Sequence, residues 1–305
     1  MPVPAAIDAA GLTKVFHGGV VGLDGVDLRV DPGERMGFLG PNGAGKTTFI
    51  RLALGMLRPT AGRVALLGHD MATNRLAGLA GAGYLPGDLG LARELTGRRS
   101  LDALARLQRR PPVLQADLLR VLDLDEAALR RRVREYSRGM RQKLGLVLAL
   151  QHDPPLIVLD EPTGGLDPVM QARLLEWLDA RARAGRTVFF SSHVLGEVDE
   201  LCDRVAMVRG GRLLLVRSVE EIRAARVRSV QVTFAGPVDP AAYRVDGMGP
   251  RVEVSGATHR FTLAGPPGPL LAALGRLDVR DVAVEAARLE DVFRALYIED
   301  GEAAA

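Results

Sequence analysis

Cysteine and lysine are scarce in this sequence, and each scarcity narrows the kind of protein that it encodes. Cys202 is the single cysteine among 305 residues, so no disulfide can form within the chain, which is typical of the reducing cytosol. Of the 40 basic residues, lysine supplies only Lys14, Lys46 and Lys143. In a chain that uses arginine nearly everywhere, a retained lysine draws attention, and Lys46 lies inside the strongest motif of the sequence.

Long apolar runs are also missing, since no stretch approaches the roughly 18 uninterrupted apolar residues that a membrane span needs. The N-terminal segment MPVPAAIDAAGLTKVF lacks the basic start and the long apolar core of a secretory signal. Hydrophobic residues at 47% and charged residues at 25% are ordinary for a globular protein, and the net charge is only +3. We therefore expect a cytosolic protein of two domains that does not cross a membrane by itself.

Strand-like and helix-like segments alternate over the first two thirds of the chain. ERMGFLG at 34–40, LIVLDE at 156–161 and TVFFSSH at 187–193 predict strands, and helix-like runs lie between them. This alternation predicts an α/β fold with a parallel sheet over residues 1–217. A helical, Arg- and Leu-rich insertion is expected at about 88–150.

The pattern changes past Gly210, where Gly and Pro cluster between shorter segments. SVQVTF, RVEVS and HRFTLA predict short strands, whereas PGPLLAALGRL and LEDVFRALYIE predict helices. We therefore expect a small α+β domain at 218–305.

The segment GPNGAGKTT at 40–48 satisfies the pattern G-x-x-x-x-G-K-[ST] of a phosphate-binding loop, and it follows a strand and precedes a helix. Backbone N–H groups from Asn42 to Thr48 are expected to surround a β-phosphate, with the helix dipole adding to the attraction. Lys46 would reach the β and γ oxygens as a compact point charge, and Thr47 would give its hydroxyl to Mg²⁺. The candidate nucleotide-binding residues of this loop are Gly40, Pro41, Asn42, Gly43, Ala44, Gly45, Lys46, Thr47 and Thr48.

LIVLDEP at 156–162 is a buried strand pattern that ends in two carboxylates, and the carboxyl ends of strands are where α/β sheets bind ligands. We expect Asp160 to hold Mg²⁺ through water and Glu161 to orient and polarise the attacking water as general base. His193 ends another strand pattern, and a strand parallel to that of Asp160 would let its imidazole touch the γ-phosphate.

The segment EYSRGMRQK at 135–143 offers a second anion site. Ser137 and Gly139 stand just before the helix-like run LGLVLALQ, where serine caps a helix and glycine allows close approach to the backbone. A helix N-terminus of this kind attracts anions. One chain therefore carries two phosphate sites about ninety residues apart, and the duplication needs an explanation.

Together these segments resemble the ATP-binding subunit of an ABC transporter. GPNGAGKTT corresponds to the P-loop (Walker A), YSRGM at 136–140 to the signature, LIVLDE to Walker B, GGLDP at 164–168 to the D-loop and SSH at 191–193 to the histidine switch. The five motifs stand in the family's order and at its spacing over about residues 8–217. The resemblance implies a P-loop NTPase fold of the ABC type, with ATP and Mg²⁺ as its cofactors.

The resemblance also explains the second phosphate site. In this family two subunits pack head to tail, which implies that Ser137, Gly139 and Met140 of one chain face the γ-phosphate held by the other. Asp167 of the D-loop would signal between the two sites. Phe16 matches the aromatic residue that stacks on adenine, with a core position in the first sheet as the alternative.

One departure from the family pattern concerns the metal. After GYLP at 83–86 the family usually places a Gln that touches Mg²⁺, whereas this chain has Gly87 followed by Asp88. Gly87 cannot coordinate through a side chain, so either Asp88 or water would have to substitute.

The signature departs as well, with Tyr136 for the usual Leu and Arg138 for the usual first Gly. Such variants resemble the type-2 ABC exporter branch, which includes drug and antibiotic efflux ATPases. The stretch ARLEDVFRALY at 287–297 is similar to the ending of that branch.

The resemblance therefore implies an ATPase subunit that drives export of a drug, antibiotic or other amphipathic compound through a separate type-2 permease. The implied partners are a second copy of the chain, as a homodimer, and the integral-membrane permease, which the helical insertion should receive near Gly87 and Asp88. No nucleic acid is expected as a partner. The protein would lie at the cytoplasmic face of the membrane, attached through the permease.

Two other functions stay open. One is a soluble ABC ATPase that acts on nucleic acid or ribosomes, which the basic pI of about 9.3 would suit. The basic run RRRVR at 130–134 would suit nucleic acid or a lipid surface, although a solvated helix face is the simpler interpretation. An import ATPase would carry the same motifs. We expect the domain at 218–305 to be a dimer-contact or regulatory module, with a passive extension as the alternative.

Overall fold

The structure is a computed structural model that describes residues 3–224 and 227–286. The chain divides into two compact units, Met1–Val216 and Arg217–Ala305, called here the first and second units. The segment at 287–297 and the helix predicted around it lie outside the described residues. Within the part of the chain that the structure describes, no helix is both long and apolar enough to span a membrane.

Strands and helices succeed one another along both units. The strands are β1 (Ile7–Val15), β2 (Val21–Val30), β3 (Arg35–Leu39), β4 (Ala61–Leu66), β5 (His69–Asp70), β6 (Ala82–Leu85), β7 (Leu156–Asp160), β8 (Thr187–Ser192), β9 (Arg204–Arg209), β10 (Arg212–Ser218), β11 (Val227–Phe234), β12 (Glu253–Ser255), β13 (Thr258–Ala264) and β14 (Val279–Ala286). The α-helices are α1 (Lys46–Ala53), α2 (Arg75–Ala80), α3 (Gly97–Gln108), α4 (Gln115–Val121), α5 (Glu126–Arg130), α6 (Arg138–Leu150), α7 (Pro168–Arg183), α8 (Leu195–Leu201), α9 (Val219–Ala224) and α10 (Gly268–Leu274). Short 3₁₀ segments are formed by His17–Gly19, Val133–Glu135 and Pro240–Tyr243.

The described strands of the central sheet lie in the order β10-β9-β3-β8-β7-β6. β3 pairs in parallel with β8 and β9, and β7 pairs in parallel with β6 and β8. Every residue of β7 and β8 is buried, because strands covered on both faces need continuous apolar runs such as LIVLD and TVFF. The predicted parallel α/β sheet is therefore confirmed, and the carboxyl ends of β3, β7 and β8 lie at one edge.

Three phenylalanine rings join helix α1 to this sheet. The Phe49 ring on α1 lies 4.9 Å from the Phe38 ring on β3 and 5.5 Å from the Phe189 ring on β8, measured between centroids. All three side chains are fully buried. Because aromatic rings carry large apolar surfaces, this cluster fixes α1, and the loop that precedes it, against the strands that carry the other site residues.

A second sheet of the first unit is antiparallel, in the order β2-β1-β4-β5. The segment GVDLRV at 25–30 forms the second part of β2 in this sheet. The second half of β2 alternates between buried and exposed residues, which is the pattern of a strand with one solvated face. The alternation of buried and exposed residues shows that β2 packs on one face only, whereas β7 and β8 are buried on both faces.

The helical insertion consists of α3, α4 and α5, and α6 joins it to the central sheet. Helix α6 packs against α3 and α4 and also against β6. Gly145 allows the close approach, because a Cβ there would lie 2.8 Å from a methyl group of Leu89 and 3.0 Å from one of Leu85. The predicted block at 88–150 thus ends in a helix that is shared between the insertion and the core.

The second unit is a four-stranded antiparallel sheet over its described residues, in the order β12-β13-β11-β14, with α10 alongside. The α+β architecture expected here is therefore present. Its own apolar core is formed by Val230, Val232, Phe234, Tyr243, Phe261, Leu263, Leu270 and Leu274.

This core encloses one titratable imidazole. His259 is fully buried, its Nδ1 lies 2.5 Å from the Tyr243 hydroxyl, and its Nε2 has no hydrogen-bond partner among the described residues. The Phe234 ring packs edge-on against it. Burial lowers the pKa of His259 below its ordinary value of 6.5, because the charged imidazolium would lose its hydration.

We expect the second unit to lose stability as the pH falls below about 6.5, because the unfolded chain takes up a proton at His259 that the buried imidazole resists. Hydrogen–deuterium exchange in β11 and β13, corrected for intrinsic exchange rates, should show less protection at about pH 5.5 than at about pH 7.5. His259→Phe removes the titrating group, so this dependence on pH should shrink. An unchanged dependence in the variant would show that His259 is not its source.

Candidate active site

The loop GPNGAGKTT connects β3 to α1 in a conformation that requires glycine. Gly43 and Gly45 have φ values of 81° and 111°, in the left-handed region that favours glycine. A Cβ at Gly45 would lie 2.7 Å from the Gly22 carbonyl oxygen, and one at Gly40 would lie 2.5 Å from that of Val208. The chain thus turns tightly enough to bring the N-terminus of α1 to the edge of the sheet.

Lys46 begins helix α1 and is the buried cation of this site, with 5% of its side chain exposed. Its Nζ donates hydrogen bonds to the carbonyl oxygens of Gly40 at 2.7 Å and Pro41 at 3.2 Å, and lies 3.2 Å from Glu161 Oε1. A buried ammonium needs polar partners of this kind. Three oxygen contacts hold it at the floor of a cleft, where a phosphate would meet it.

That cleft is a cavity of about 300 Å³. Its lining consists of Phe16, Val20, Val21, Gly22, Pro41, Asn42, Gly43, Gly45, Lys46, Thr47, Thr48 and Glu161. Its lining combines backbone amides and a buried ammonium with apolar side chains. A nucleotide, with its phosphates and its flat base, fits this distribution of polar and apolar surface.

Phe16 lines the cavity and is not part of the core of the first sheet, since 37% of it is exposed. A Cβ at Gly22 would lie 2.5 Å from the Phe16 ring, so glycine lets the ring rest on the backbone. The Lys14 ammonium lies 5.5 Å from the ring centroid. The exposure and the position in the lining favour base stacking as the role of this ring.

Asp160 ends β7 and is 1% exposed. The Thr47 hydroxyl donates a 2.8 Å hydrogen bond to Asp160 Oδ2, and the Ser191 hydroxyl donates a 2.5 Å bond to Oδ1. Among the described residues, no group of three or more His, Cys, Asp or Glu side chains is placed to hold a metal. A hydroxyl beside a carboxylate suits Mg²⁺, which keeps several waters and takes its other ligands from phosphates.

Glu161 contacts both a lysine and a histidine of the site. Its Oε1 lies 3.2 Å from Lys46 Nζ, and its Oε2 lies 3.2 Å from Nδ1 of the half-exposed His193. Its backbone φ is +51°, a conformation that costs a residue with a side chain about 1–2 kcal/mol. The structure therefore brings together Lys46, Glu161 and His193, which lie far apart in the sequence.

Gly87 and Asp88 take different positions relative to the Asp160 carboxylate. A Cβ at Gly87 would lie 3.5 Å from Asp160 Oδ2, so this residue stands where a longer side chain could reach the metal ligands. Asp88 is exposed, and the structure does not bring it into the lining of the cavity. The position at which the family usually has Gln is therefore adjacent to the Asp160 carboxylate, but Gly87 places no side chain there.

Ser137 is the N-cap of α6, and its hydroxyl accepts a 3.2 Å hydrogen bond from the Met140 N–H. A Cβ at Gly139 would lie 2.7 Å from the Gly165 carbonyl oxygen, and the stem of Arg138 lies over Gly165. Asp167 caps α7 by accepting a 3.0 Å bond from the Met170 N–H. The signature and the D-loop thus form one continuous surface.

That surface is separate from the cavity around Lys46. Ser137, Gly139, Met140 and Asp167 are absent from the described residues that line the cavity. Within one chain the two anion-binding segments therefore do not share a pocket. Their separation is what the dimer interpretation of the sequence requires.

Tyr136 fixes the start of the signature helix to the helical insertion. Its hydroxyl donates a 2.8 Å hydrogen bond to the Ala128 carbonyl, and burial raises the pKa of this phenol above its ordinary value. A Cβ at Gly97, the first residue of α3, would lie only 2.2 Å from the same hydroxyl. The signature has Tyr136 in place of the usual leucine, and Gly97 on the neighbouring helix α3 leaves space for the tyrosine hydroxyl.

Ser191 is the site residue that the sequence analysis does not identify on its own. Only SSH as a whole is singled out, on account of His193. The sequence signal for Ser191 is its position after the apolar strand residues TVFF, where packing gives no reason for a hydroxyl. The identity of its partner depends on β8 lying beside β7, and no local pattern reveals that.

Comparisons with known proteins agree with these motifs. A family model described as ABC transporter matches residues 23–164. The daunorubicin resistance ATP-binding protein DrrA3 of Streptomyces coeruleorubidus is 35% identical over 312 residues, covering 97% of this chain and 96% of that protein. The Nod factor export ATP-binding protein I of Rhizobium etli is 32% identical over 296 residues, covering 94% of this chain and 92% of that protein.

A solved structure described as the ATP-binding subunit of an ABC transporter matches this structure with a TM-score of 0.65. It is 30% identical and covers 72% of this chain and 92% of that chain. The similarity therefore extends to the three-dimensional fold as well as to the motifs.

We expect Gly97→Ala to lower the free energy of unfolding by about 1–3 kcal/mol, because the new methyl group collides with the Tyr136 hydroxyl. Urea unfolding followed through Trp177, the single tryptophan, reports on the first unit. In a chain that also carries Tyr136→Phe, the same glycine substitution should cost much less, since the colliding atom is gone. If Gly97→Ala lowered the free energy of unfolding equally in the parental and the Tyr136→Phe chains, the contact between residue 97 and the Tyr136 hydroxyl would be contradicted.

Proposed function

This chain belongs to the ABC transporter family of ATP-binding subunits, which are ATPases, and from that premise we propose that it powers export through a separate membrane permease. The observation that carries the catalytic part is the placement of Glu161 between Lys46 and His193, beside the Thr47–Asp160 pair. The proposed substrate is ATP with Mg²⁺, bound in the cavity of the P-loop.

Each residue of this arrangement has a defined task in hydrolysis. Lys46 and the loop amides bind the phosphates, while Thr47 and Asp160 would hold Mg²⁺. When bound, Mg²⁺ supplies charge neutralisation on the phosphate oxygens. Glu161 orients the attacking water and accepts its proton, and His193 stands next to that carboxylate to contact the transferred phosphate.

We propose that two copies of the chain form the working ATPase. The support is the separation of the signature surface from the cavity, because neither Ser137 nor Gly139 lines the cavity that contains Lys46 in the same chain. In a head-to-tail homodimer the signature of one copy would close the cavity of the other. Bound ATP then stabilises the dimer, and hydrolysis releases it.

The direction of transport rests on the relatives. Two proteins named for daunorubicin resistance and Nod factor export are similar to this chain over more than nine tenths of both lengths. We therefore propose export of a drug-like or other amphipathic compound. The protein would act at the cytoplasmic face of the membrane, attached through the permease.

Nucleic-acid binding is less well supported by the structure. Within RRRVR, Arg132 and Arg134 lie 3.3 and 3.2 Å from Glu94, and Arg131 lies 3.8 Å from Glu135. The two carboxylates offset two of the four positive charges of the run. A solvated, internally paired surface accounts for this segment without a polyanionic ligand.

We expect Glu161→Gln to bind ATP within about threefold of the parental affinity and to lower kcat at least about a hundredfold, because the amide cannot accept the proton of water. The variant should accumulate as an ATP-dependent dimer in light scattering. Glu176→Gln, an exposed change on α7, is the matched control and should behave as the parent. Parental turnover in Glu161→Gln would remove Glu161 from the proposed role.

The transport function is tested with the permease that co-purifies with this chain. In inside-out vesicles that contain both proteins, ATP should drive an amphipathic fluorescent compound into the lumen, and Glu161→Gln should abolish the accumulation. ATP-driven movement in the opposite direction would support import. Co-purification of nucleic acid in place of a membrane protein would contradict the transport proposal.

A further inference from the structure

Ser191 is a fully buried hydroxyl that contacts both carboxylate residues of the active site. Its Oγ donates a 2.5 Å hydrogen bond to Asp160 Oδ1 and accepts a 3.2 Å bond from the Glu161 N–H. Neither bond is local, since Ser191 stands about thirty residues away in the sequence, on the neighbouring strand. A hydroxyl that is wholly removed from water needs such partners, and here both belong to the catalytic segment.

The sheet places Ser191 opposite these residues. Asp160 on β7 pairs directly with Ser191 on β8. The Glu161 N–H also donates a 3.1 Å hydrogen bond to the Ser191 backbone carbonyl oxygen. This one N–H therefore bonds to both the hydroxyl oxygen and the carbonyl oxygen of Ser191. These bonds lie at Glu161, a residue with a side chain whose backbone is nevertheless held in the left-handed region. A conformation of that kind persists only where its surroundings hold it.

The bonds form a continuous chain across the site. The Thr47 hydroxyl donates to Asp160 Oδ2, the Ser191 hydroxyl donates to Oδ1, and the Glu161 N–H donates to Ser191 Oγ. The two oxygens of Asp160 are therefore divided between the P-loop and β8. Because the Ser191 hydroxyl bonds to Oδ1, the other oxygen, Oδ2, stays beside the Thr47 hydroxyl.

We propose that Ser191 is a positioning residue that sets the orientation of the Asp160 carboxylate and the backbone of Glu161, and so couples the metal ligands to the general base. This inference rests on the proposed ATPase function and adds a residue to it. Without the Ser191 hydroxyl, Asp160 Oδ1 would be buried with no hydrogen-bond donor. The Glu161 N–H would retain only the Ser191 backbone carbonyl as its acceptor. The carboxylate is then free to rotate away from Thr47.

Ser192 is the matched control within the same strand. It is 2% exposed, but its hydroxyl donates to Glu197 Oε2 at 2.8 Å and accepts from the Val194 N–H at 2.9 Å. It is thus buried to a similar degree and also hydrogen-bonded through its hydroxyl, but none of its hydroxyl contacts involves Asp160 or Glu161. If the loss of any buried serine hydroxyl lowered kcat and metal affinity, the alanine variants at both positions would show the same losses.

The experiment compares Ser191→Ala, Ser191→Cys and Ser192→Ala in the full-length chain. For Ser191→Ala we expect kcat to fall about tenfold or more while the KM for ATP changes less than about threefold, since the lost donor served a charged group. Electron paramagnetic resonance of Mn²⁺ with bound ADP should show a metal affinity about fivefold or more weaker. Ser192→Ala should retain the parental Mn²⁺ affinity, whatever its thermal stability.

Ser191→Cys separates the hydrogen bond from the volume. The thiol fills nearly the same space but is a weak donor, so this variant should share the defects of Ser191→Ala, and it serves if the alanine variant does not fold. Parental kcat and Mn²⁺ affinity in either variant would overturn the proposal, as would equal losses in Ser192→Ala. A parental chain that hydrolyses no ATP would contradict the proposed function instead, and the Mn²⁺ affinities would still decide the role of Ser191.

Discussion

The buried carboxylate of Asp160 is the point on which the active site depends, because it joins the P-loop to the ends of two strands. It is almost wholly removed from water, and such a charge is tolerated only with donors on both oxygens. Thr47 and Ser191 supply them, one from helix α1 and one from β8. The requirement to satisfy one buried charge therefore brings three separate segments of the chain to a common point.

The signature surface is attached to the segment that follows Asp160 and Glu161. Gln142 on α6 donates a 2.7 Å hydrogen bond to the Pro162 carbonyl, immediately after Glu161. The Arg138 stem and Gly139 rest on Gly165 of the D-loop. These contacts tie α6 to the loop that follows Glu161. Within one chain, the signature segment does not line the cavity but is connected to the end of β7 through the residues at 162–165.

Several parts of this arrangement follow from local patterns. Glycines at left-handed positions, a serine before an apolar helix and four apolar residues ahead of two carboxylates each restrict the backbone over a few residues. The antiparallel sheet of β1, β2, β4 and β5 does not follow, because β1 pairs with β4 across the intervening residues 16–60. Tyr136 and Gly97 illustrate the same limit, since each residue is unremarkable until the two helices meet.

From the sequence by itself one can derive the chemical groups of this protein and their local geometry: a lysine at a helix start, a hydroxyl next to it, and carboxylates at a strand end. Only the tertiary structure decided which of these groups meet. The order of β3, β8 and β7 places Ser191 opposite Asp160, and that order results from the packing of the whole core. A hydrogen bond across strands depends on neighbours that the chain acquires by folding, so no short stretch of residues contains it.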